Sequence, residues 1–100
     1  MAQTINVRSS NITPVKTSYV EVEVKDDATS ATAGAITNDI PLGQAYRSVK
    51  LVSIASSVTA NDTAYADCSA SAIIKDTATV KIRYKGPANI KVIATFECEV

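Results

Sequence analysis

The chain has 100 residues, 46% of them apolar, and its ten basic and ten acidic residues cancel. That length fits one domain, and a balanced charge without a basic block argues against nucleic acid and acidic membranes as partners. Isoleucine and valine number 21 against 3 for leucine and methionine, which excludes a helical bundle, because β-branched side chains favour pleated sheet.

The first fourteen residues predict an extended N-terminal arm. Residues 4–8 alternate weakly, with Ile5 and Val7 on one side, and residues 9–14 have the composition of a turn or extended segment ending at Pro14. The start lacks the basic residues and apolar run of a secretory signal. We therefore expect the protein to be made and to mature in a cytoplasm.

Residues 19–25 carry the clearest strand pattern. Val20, Val22 and Val24 alternate with polar or aromatic residues, which predicts one buried face and one wet face. The polar, alanine-rich residues 26–43 predict a long loop, with a weak strand around residues 34–37 as the alternative.

Residues 47–60 form a strand pattern without a polar face. Val49 and Leu51 occupy odd positions, whereas Val52 and Ile54 occupy even ones. This pattern predicts a strand that is covered on both sides, either at the centre of a sheet or by another chain.

The second half of the chain returns to strict alternation in residues 63–74, 79–85 and 90–100. Residues 85–89 predict a five-residue hairpin loop that places Tyr84 opposite Ile90. The apolar residues predicted to face inward are Ala64, Ala66, Cys68, Ala70, Ala72, Val80, Ile82, Tyr84, Ile90, Val92, Ala94, Phe96, Cys98 and Val100. We predict a single all-β domain of residues 1–100, an antiparallel β-sandwich or a jelly-roll or Greek-key small barrel.

Residues suited to catalysis or metal binding are scarce. The absence of histidine excludes Ser-His-Asp and Cys-His arrangements, and Cys68 and Cys98 are interpreted as small buried groups, with a disulfide left open. Four oxygen-bearing residues bracket the loop without the spacing of a calcium loop, namely Asp26, Asp27, Asn38 and Asp39. We predict no enzymatic activity, no cofactor and no metal site.

The predicted core is thin, because fifteen apolar residues are alanine and no tryptophan is present. Alanine contributes much less on burial than valine or isoleucine. Self-association stabilises a folded domain by mass action, so a homo-oligomer is expected.

The segment AQTINVRSSNITP, the Thr/Ser/Ala/Val-rich body and the long polar loop together resemble small virion structural proteins of tailed bacteriophages, in particular capsid decoration or cement proteins. The resemblance implies a non-enzymatic β-rich protein, often trimeric, that binds the major capsid protein on the capsid surface and stabilises the shell. It further implies assembly in the host cytoplasm.

The residues that we expect at partner interfaces come from two segments and from arginines and tyrosines elsewhere in the chain. Residues 4–12 could pair with a neighbouring subunit, and the second face of residues 49–58 could be buried between subunits. Arginine and tyrosine are added because both are enriched at binding hot spots. The candidates are Ile5, Val7, Arg8, Tyr46, Arg47, Val52, Ile54, Tyr65 and Arg83.

An alternative function is a carbohydrate- or receptor-binding β-sandwich module, of the kind found at fibre tips or in adhesins. In that case residues 26–43 would contact the ligand, with Tyr46 as the aromatic residue near the end of the loop.

Overall fold

The chain folds as an antiparallel two-sheet sandwich in a computed structural model that describes residues 3–12, 17–27, 34–58, 68–86 and 89–100. Its strands are β1 (Gln3–Ile12), β2 (Thr17–Asp26), β3 (Ala35–Ile36), β4 (Ile40–Pro41), β5 (Ser48–Val58), β6 (Ser69–Asp76), β7 (Thr79–Lys85) and β8 (Ile90–Glu99). Within these ranges there is no helix, and hence none long and apolar enough to cross a membrane. The all-β prediction is confirmed.

Sheet I has the strand order β1-β2-β8-β5, and sheet II is built around β7. β6 pairs with one side of β7 along its whole length, from Ser69 opposite Lys85 to Asp76 opposite Thr79. β3 and β4 both pair with β7 as well, at its end and its beginning. They must therefore lie on its other side, where they act as one interrupted edge strand.

The core lies between β2 and β8 of sheet I and β7 of sheet II. The alternation of apolar residues in these strands was predicted correctly, since the inward side chains of all three are buried. Phe96 and Tyr84 are the largest of the fully buried side chains. The one error is Val100, which follows the end of β8 and is exposed.

β5 is an edge strand, so the prediction that it lies at the centre of a sheet is wrong, and burial of its second face by another chain stays a prediction. The register with β8 shifts between Leu51 and Ser53, which marks a β-bulge at Val52. The bulge inverts the alternation, so Val49 and Leu51 before it and Ile54 after it all pack against the same core. Val52 itself is 52% exposed.

The segment predicted as an N-terminal arm is an edge strand of its own sheet. β1 pairs with β2 at ten consecutive positions, from Gln3 opposite Asp26 to Ile12 opposite Thr17. The predicted loop of residues 26–43 begins with the last residue of β2 and contains β3 and β4, which agrees with the alternative of a weak strand near residues 34–37. Residues 28–33 lie outside the described ranges.

The predicted hairpin between β7 and β8 is also wrong, because these strands belong to different sheets. Tyr84 pairs with Ala70 and Ala35, whereas Ile90 pairs with Asp26 and Val58. The connection therefore crosses from one sheet to the other. Gly86 lies at this crossing, where a Cβ atom would be 2.6 Å from Ile90 Cδ1.

Cys68 and Cys98 are free thiols at opposite ends of the sandwich. Cys68 Sγ is 3.3 Å from the position that a Cβ of Gly86 would take, next to Ile90. Cys98 follows Ile90 by eight residues on β8, which corresponds to about 26 Å. A disulfide needs Cα atoms within about 7 Å, so the two thiols cannot bond within one chain.

We therefore expect thiol titration of the unfolded protein to find both cysteines reduced, even after air exposure of the folded protein. Reductant should leave the melting temperature unchanged, because no crosslink constrains the unfolded chain. A titration that finds no free thiol in monomeric protein would contradict the structure.

Candidate interaction surfaces

The outer surface of sheet II is basic, and we call it the basic face. Val80, Ile82 and Tyr84 of β7 point inward, so the residues between them point outward. In register with these, β3 and β6 contribute two isoleucines: Ile36 is opposite Arg83, and Ile73 is opposite Lys81. The basic face consists of Ile36, Asp39, Ser69, Ser71, Ile73, Lys75, Asp76, Thr79, Lys81, Arg83 and Lys85.

The basic face carries four basic residues against two acidic residues, Asp39 and Asp76. Asp39 lies 2.6 Å from Lys75 Nζ and 3.5 Å from Lys81 Nζ. The hydrogen bond from Lys75 is the main cause that lowers the pKa of Asp39 and raises the pKa of Lys75. Arg83 and Lys85 form no ion pair with any residue that the structure describes.

Two large apolar side chains are exposed within this charged surface. Ile36 is 44% exposed and Ile73 is 36% exposed. Apolar groups surrounded by charged residues are typical of a protein–protein contact, whose centre is apolar and whose rim is polar. The basic face therefore has the composition of a docking surface.

The outer surface of sheet I differs, because its charges neutralise one another across neighbouring strands. Glu23 is buried between Lys25 and Lys91, both at 3.8 Å. The hydroxyl of Tyr19 donates to Glu97 Oε1 at 3.3 Å, and the negative charge of Glu97 raises the pKa of Tyr19. The remaining pairs are Arg8–Glu21 and Lys50–Glu97.

The four sheet edges are not equivalent. Exposed edges commonly carry devices that prevent pairing with another chain, such as interruptions, prolines, bulges and lysines. The β3/β4 edge is interrupted and contains Pro41, and β6 has a register shift after Ile74. β5 has its own bulge and lies beside β6 without pairing to it.

β1 lacks each of these devices. Its ten residues pair with β2 in a continuous register and include no proline and no lysine. Val7 is 39% exposed, although it lies opposite the fully buried Val22 on the inner side of the sheet. Sheet II therefore leaves this part of β1 uncovered.

A cleft of ≈ 300 Å³ at one end of the sandwich is lined by Thr4, Lys25, Asp26, Asp27, Asn89, Ile90 and Lys91. Behind it, the buried hydroxyl of Tyr84 donates to Asp26 Oδ2, and Gln3 Nε2 donates to the Tyr84 oxygen at 2.7 Å. Burial is the main cause that raises the pKa of Tyr84 to about 12. These bonds connect β1 and β2 to β7 and so hold the two sheets together.

The oxygen-bearing residues that bracket residues 26–43 do not form a cation site in the described part of the chain. Asp26 accepts from Tyr84, and Asp39 accepts from Lys75 on the basic face. Among the described residues, no three acidic or cysteine side chains group in a way that could hold a metal ion.

The predicted interface residues do not lie together. Arg83 is on the basic face, Ile5, Val7 and Arg8 are on β1, and Arg47 and Val52 are exposed near or on β5. Tyr65 lies outside the described residues.

Two of the interface candidates are not on the outer surface where they were expected. Tyr46 is buried in the core, and its backbone N–H donates to the carbonyl of Thr77 at 3.0 Å. Ile54 packs against the core because of the bulge at Val52. Sequence reasoning also missed Ile73, which the alternation of residues 63–74 would have placed outward if continued beyond Ser71.

Comparison with known proteins finds no matching family model, no significantly similar curated protein and no significantly similar solved structure.

Proposed function

We propose that this is a non-enzymatic structural protein of a bacteriophage virion, a capsid decoration protein that self-associates and stabilises the shell by binding the major capsid protein. The observation that carries the proposal is the basic face. It combines uncovered isoleucines with four basic side chains and two acidic ones in a chain whose total charge is zero.

A basic sheet surface with exposed isoleucines suits attachment to the acidic surface of another protein. Ile36 and Ile73 would supply apolar area at the centre of the contact, and Arg83 and Lys85 would bind carboxylates of the partner. Charge complementarity accelerates encounter and selects the partner more than it adds affinity. The complementary surface on the capsid would be acidic.

The alternative of a carbohydrate- or receptor-binding module has less support. Exposed aromatic side chains are the usual platform for a sugar ring, and Tyr46 was the aromatic residue expected beside the loop. Its side chain is buried in the core.

The proposal predicts that Arg83→Glu will weaken binding to capsids at least tenfold. It reverses a charge at the centre of the basic face, between Ile36 and Ser71. The assay is co-sedimentation with capsids of the encoding virus that were prepared without this protein. Wild-type protein should sediment with them at a fixed ratio to the coat subunit, and raised salt should reduce the bound fraction.

Arg47→Glu is the matched control, since it makes the same charge change at an exposed residue outside the basic face. It should bind as the wild type does. Wild-type protein that stays at the top of the gradient would refute the function. An equal loss of capsid binding in Arg83→Glu and Arg47→Glu would refute the assignment of the capsid contact to the basic face.

A further inference from the structure

We propose that two copies of the protein join edge to edge through β1, antiparallel, so that sheet I continues through the pair as an eight-stranded sheet. The inference deepens the self-association in the proposed function and rests on it. It names the partner of β1 as a second copy of this chain.

β1 differs from the other sheet edges in how it is protected against pairing with another strand. β3/β4, β5 and β6 each have an interruption or a bulge, whereas β1 has a continuous register with β2 and pairs with no second strand among the described residues. Natural sheets rarely leave such an edge without protection, because any compatible strand can add to it. An unprotected edge is expected where a strand does add.

The exposure of Val7 also favours an additional strand beside β1. Its neighbour Ile5 already packs against the core, but Val7 remains substantially exposed on the same side of the sheet. A further strand beyond β1 would place a side chain directly beside Val7 and remove it from water. The most favourable neighbour there is another apolar, β-branched residue.

Two identical β1 strands can pair in a register that keeps their apolar side chains on the same face. Inward side chains must oppose inward side chains, since a shift by one residue would turn them to the wrong face. Pairing centred on Arg8 would place two arginines opposite each other. Pairing centred on Val7 instead joins residues 3–11 of both copies and brings the two Val7 side chains together.

The register centred on Val7 also complements charge. It places Arg8 of each copy opposite Asn6 of the other, and Asn6 Nδ2 donates to Glu23 Oε1 at 3.5 Å. Arg8 is the only charged residue of β1. In this register it approaches Glu23 of the other copy, which lies beside the opposed Asn6. The second copy is therefore compatible in side-chain size, face and charge.

Light scattering across a dilution series tests the proposal. The wild type should have twice the 10.5 kDa mass of one chain, because a two-fold edge contact closes at two copies. Val7→Lys places two positive charges face to face and should raise the dissociation constant at least 100-fold. Val52→Lys, the same change at an exposed valine on β5, should leave it unchanged.

A second pair of variants keeps the test independent of how well Val7→Lys folds. Opposed residues of antiparallel strands have Cα atoms about 4.5–5.5 Å apart, within reach of a disulfide. Mild oxidation of Val7→Cys should therefore give a covalent dimer that reductant separates. Ser9→Cys, whose opposed residue would be Ile5, should remain monomeric on a non-reducing gel.

Wild-type protein that stays monomeric at high concentration, a trimeric mass, or equal behaviour of Val7→Lys and Val52→Lys would overturn the proposal. Monomeric protein that still sediments with capsids would refute self-association but leave the proposed capsid binding standing, and loss of that binding in Val7→Lys would assign β1 to a coat-protein strand. Dimers that fail to sediment would instead refute the proposed function alone.

Discussion

Replacement of Phe96 by alanine is expected to reduce the free energy of unfolding by about 3–5 kcal/mol. Phe96 is fully buried on the central strand β8, between Val20 of β2 and Leu51 of β5. It is the only phenylalanine of the sequence, which has no tryptophan. The surrounding β-sheet holds its backbone in register, so the cavity could close only partly.

The effect of Phe96→Ala would be measured by urea denaturation. Small domains have a free energy of unfolding of only about 5–15 kcal/mol. Because this core has few large side chains, we expect Phe96→Ala to remove most of that free energy. Val52→Ala is the control, since Val52 projects into solvent at the bulge and should cost about 0.5 kcal/mol or less. A loss below about 1.5 kcal/mol for Phe96→Ala would mean that the core is not packed as described.

The second large effect is expected at Tyr84, where the two sheets are joined. Tyr84→Phe keeps the ring but removes the hydroxyl that donates to Asp26 and accepts from Gln3. In Tyr84→Phe the Asp26 carboxylate loses the hydrogen bond from the Tyr84 hydroxyl. Loss of a hydrogen-bond partner by a buried polar group lowers the free energy of unfolding by about 1–3 kcal/mol. The variant should be destabilised by that amount at neutral pH.

Tyr84 should also dominate the alkaline behaviour of the protein. Folding raises its pKa from 10.0 to about 12, so the hydroxyl remains protonated in the folded state at pH values where the unfolded state ionises. The resulting stability is fully present below pH 10 and is lost as the pH rises from 10 to 12. At about 1.4 kcal/mol per pH unit, the loss is on the order of 3 kcal/mol.

The measurement is urea denaturation of wild type and Tyr84→Phe at several pH values between 8 and 12. The stability difference between them should shrink as the pH rises and should disappear or reverse near pH 12. Tyr19→Phe is the comparison, because Tyr19 donates to Glu97 on the outer face of sheet I, where water weakens the interaction, and its stability difference should change much less with pH. A constant difference between wild type and Tyr84→Phe would show that the hydroxyl is not held protonated by the fold.

The sequence predicted the faces of the strands better than their neighbours. Alternation placed Val20, Ile82 and Phe96 inward because a strand exposes opposite sides at successive residues. Alternation contains no information about which strand lies alongside. The turn between Tyr84 and Ile90 therefore suggested a hairpin, although the chain crosses between sheets there.

The errors on β5 and at Tyr46 have separate physical causes. A β-bulge adds one residue and inverts the alternation, so the apolar residues of β5 appeared to occupy two faces. Tyr46 was predicted on the surface because tyrosine often mediates contacts, yet it packs into the core. The basic face was only partly foreseen, through Arg83, because Ile36 follows a polar segment without alternation.

The central position of β8 has a consequence for how the protein is made. Asp26 pairs with Ile90, so sheet I closes across more than sixty residues. Until the ribosome has released residues 90–99, β2 and β5 have no strand between them, and their backbone groups are open to pairing with other nascent chains. Folding must therefore wait for the end of β8, at the millisecond-to-second rates of high-contact-order β proteins, and chaperone supply during synthesis should govern the soluble yield.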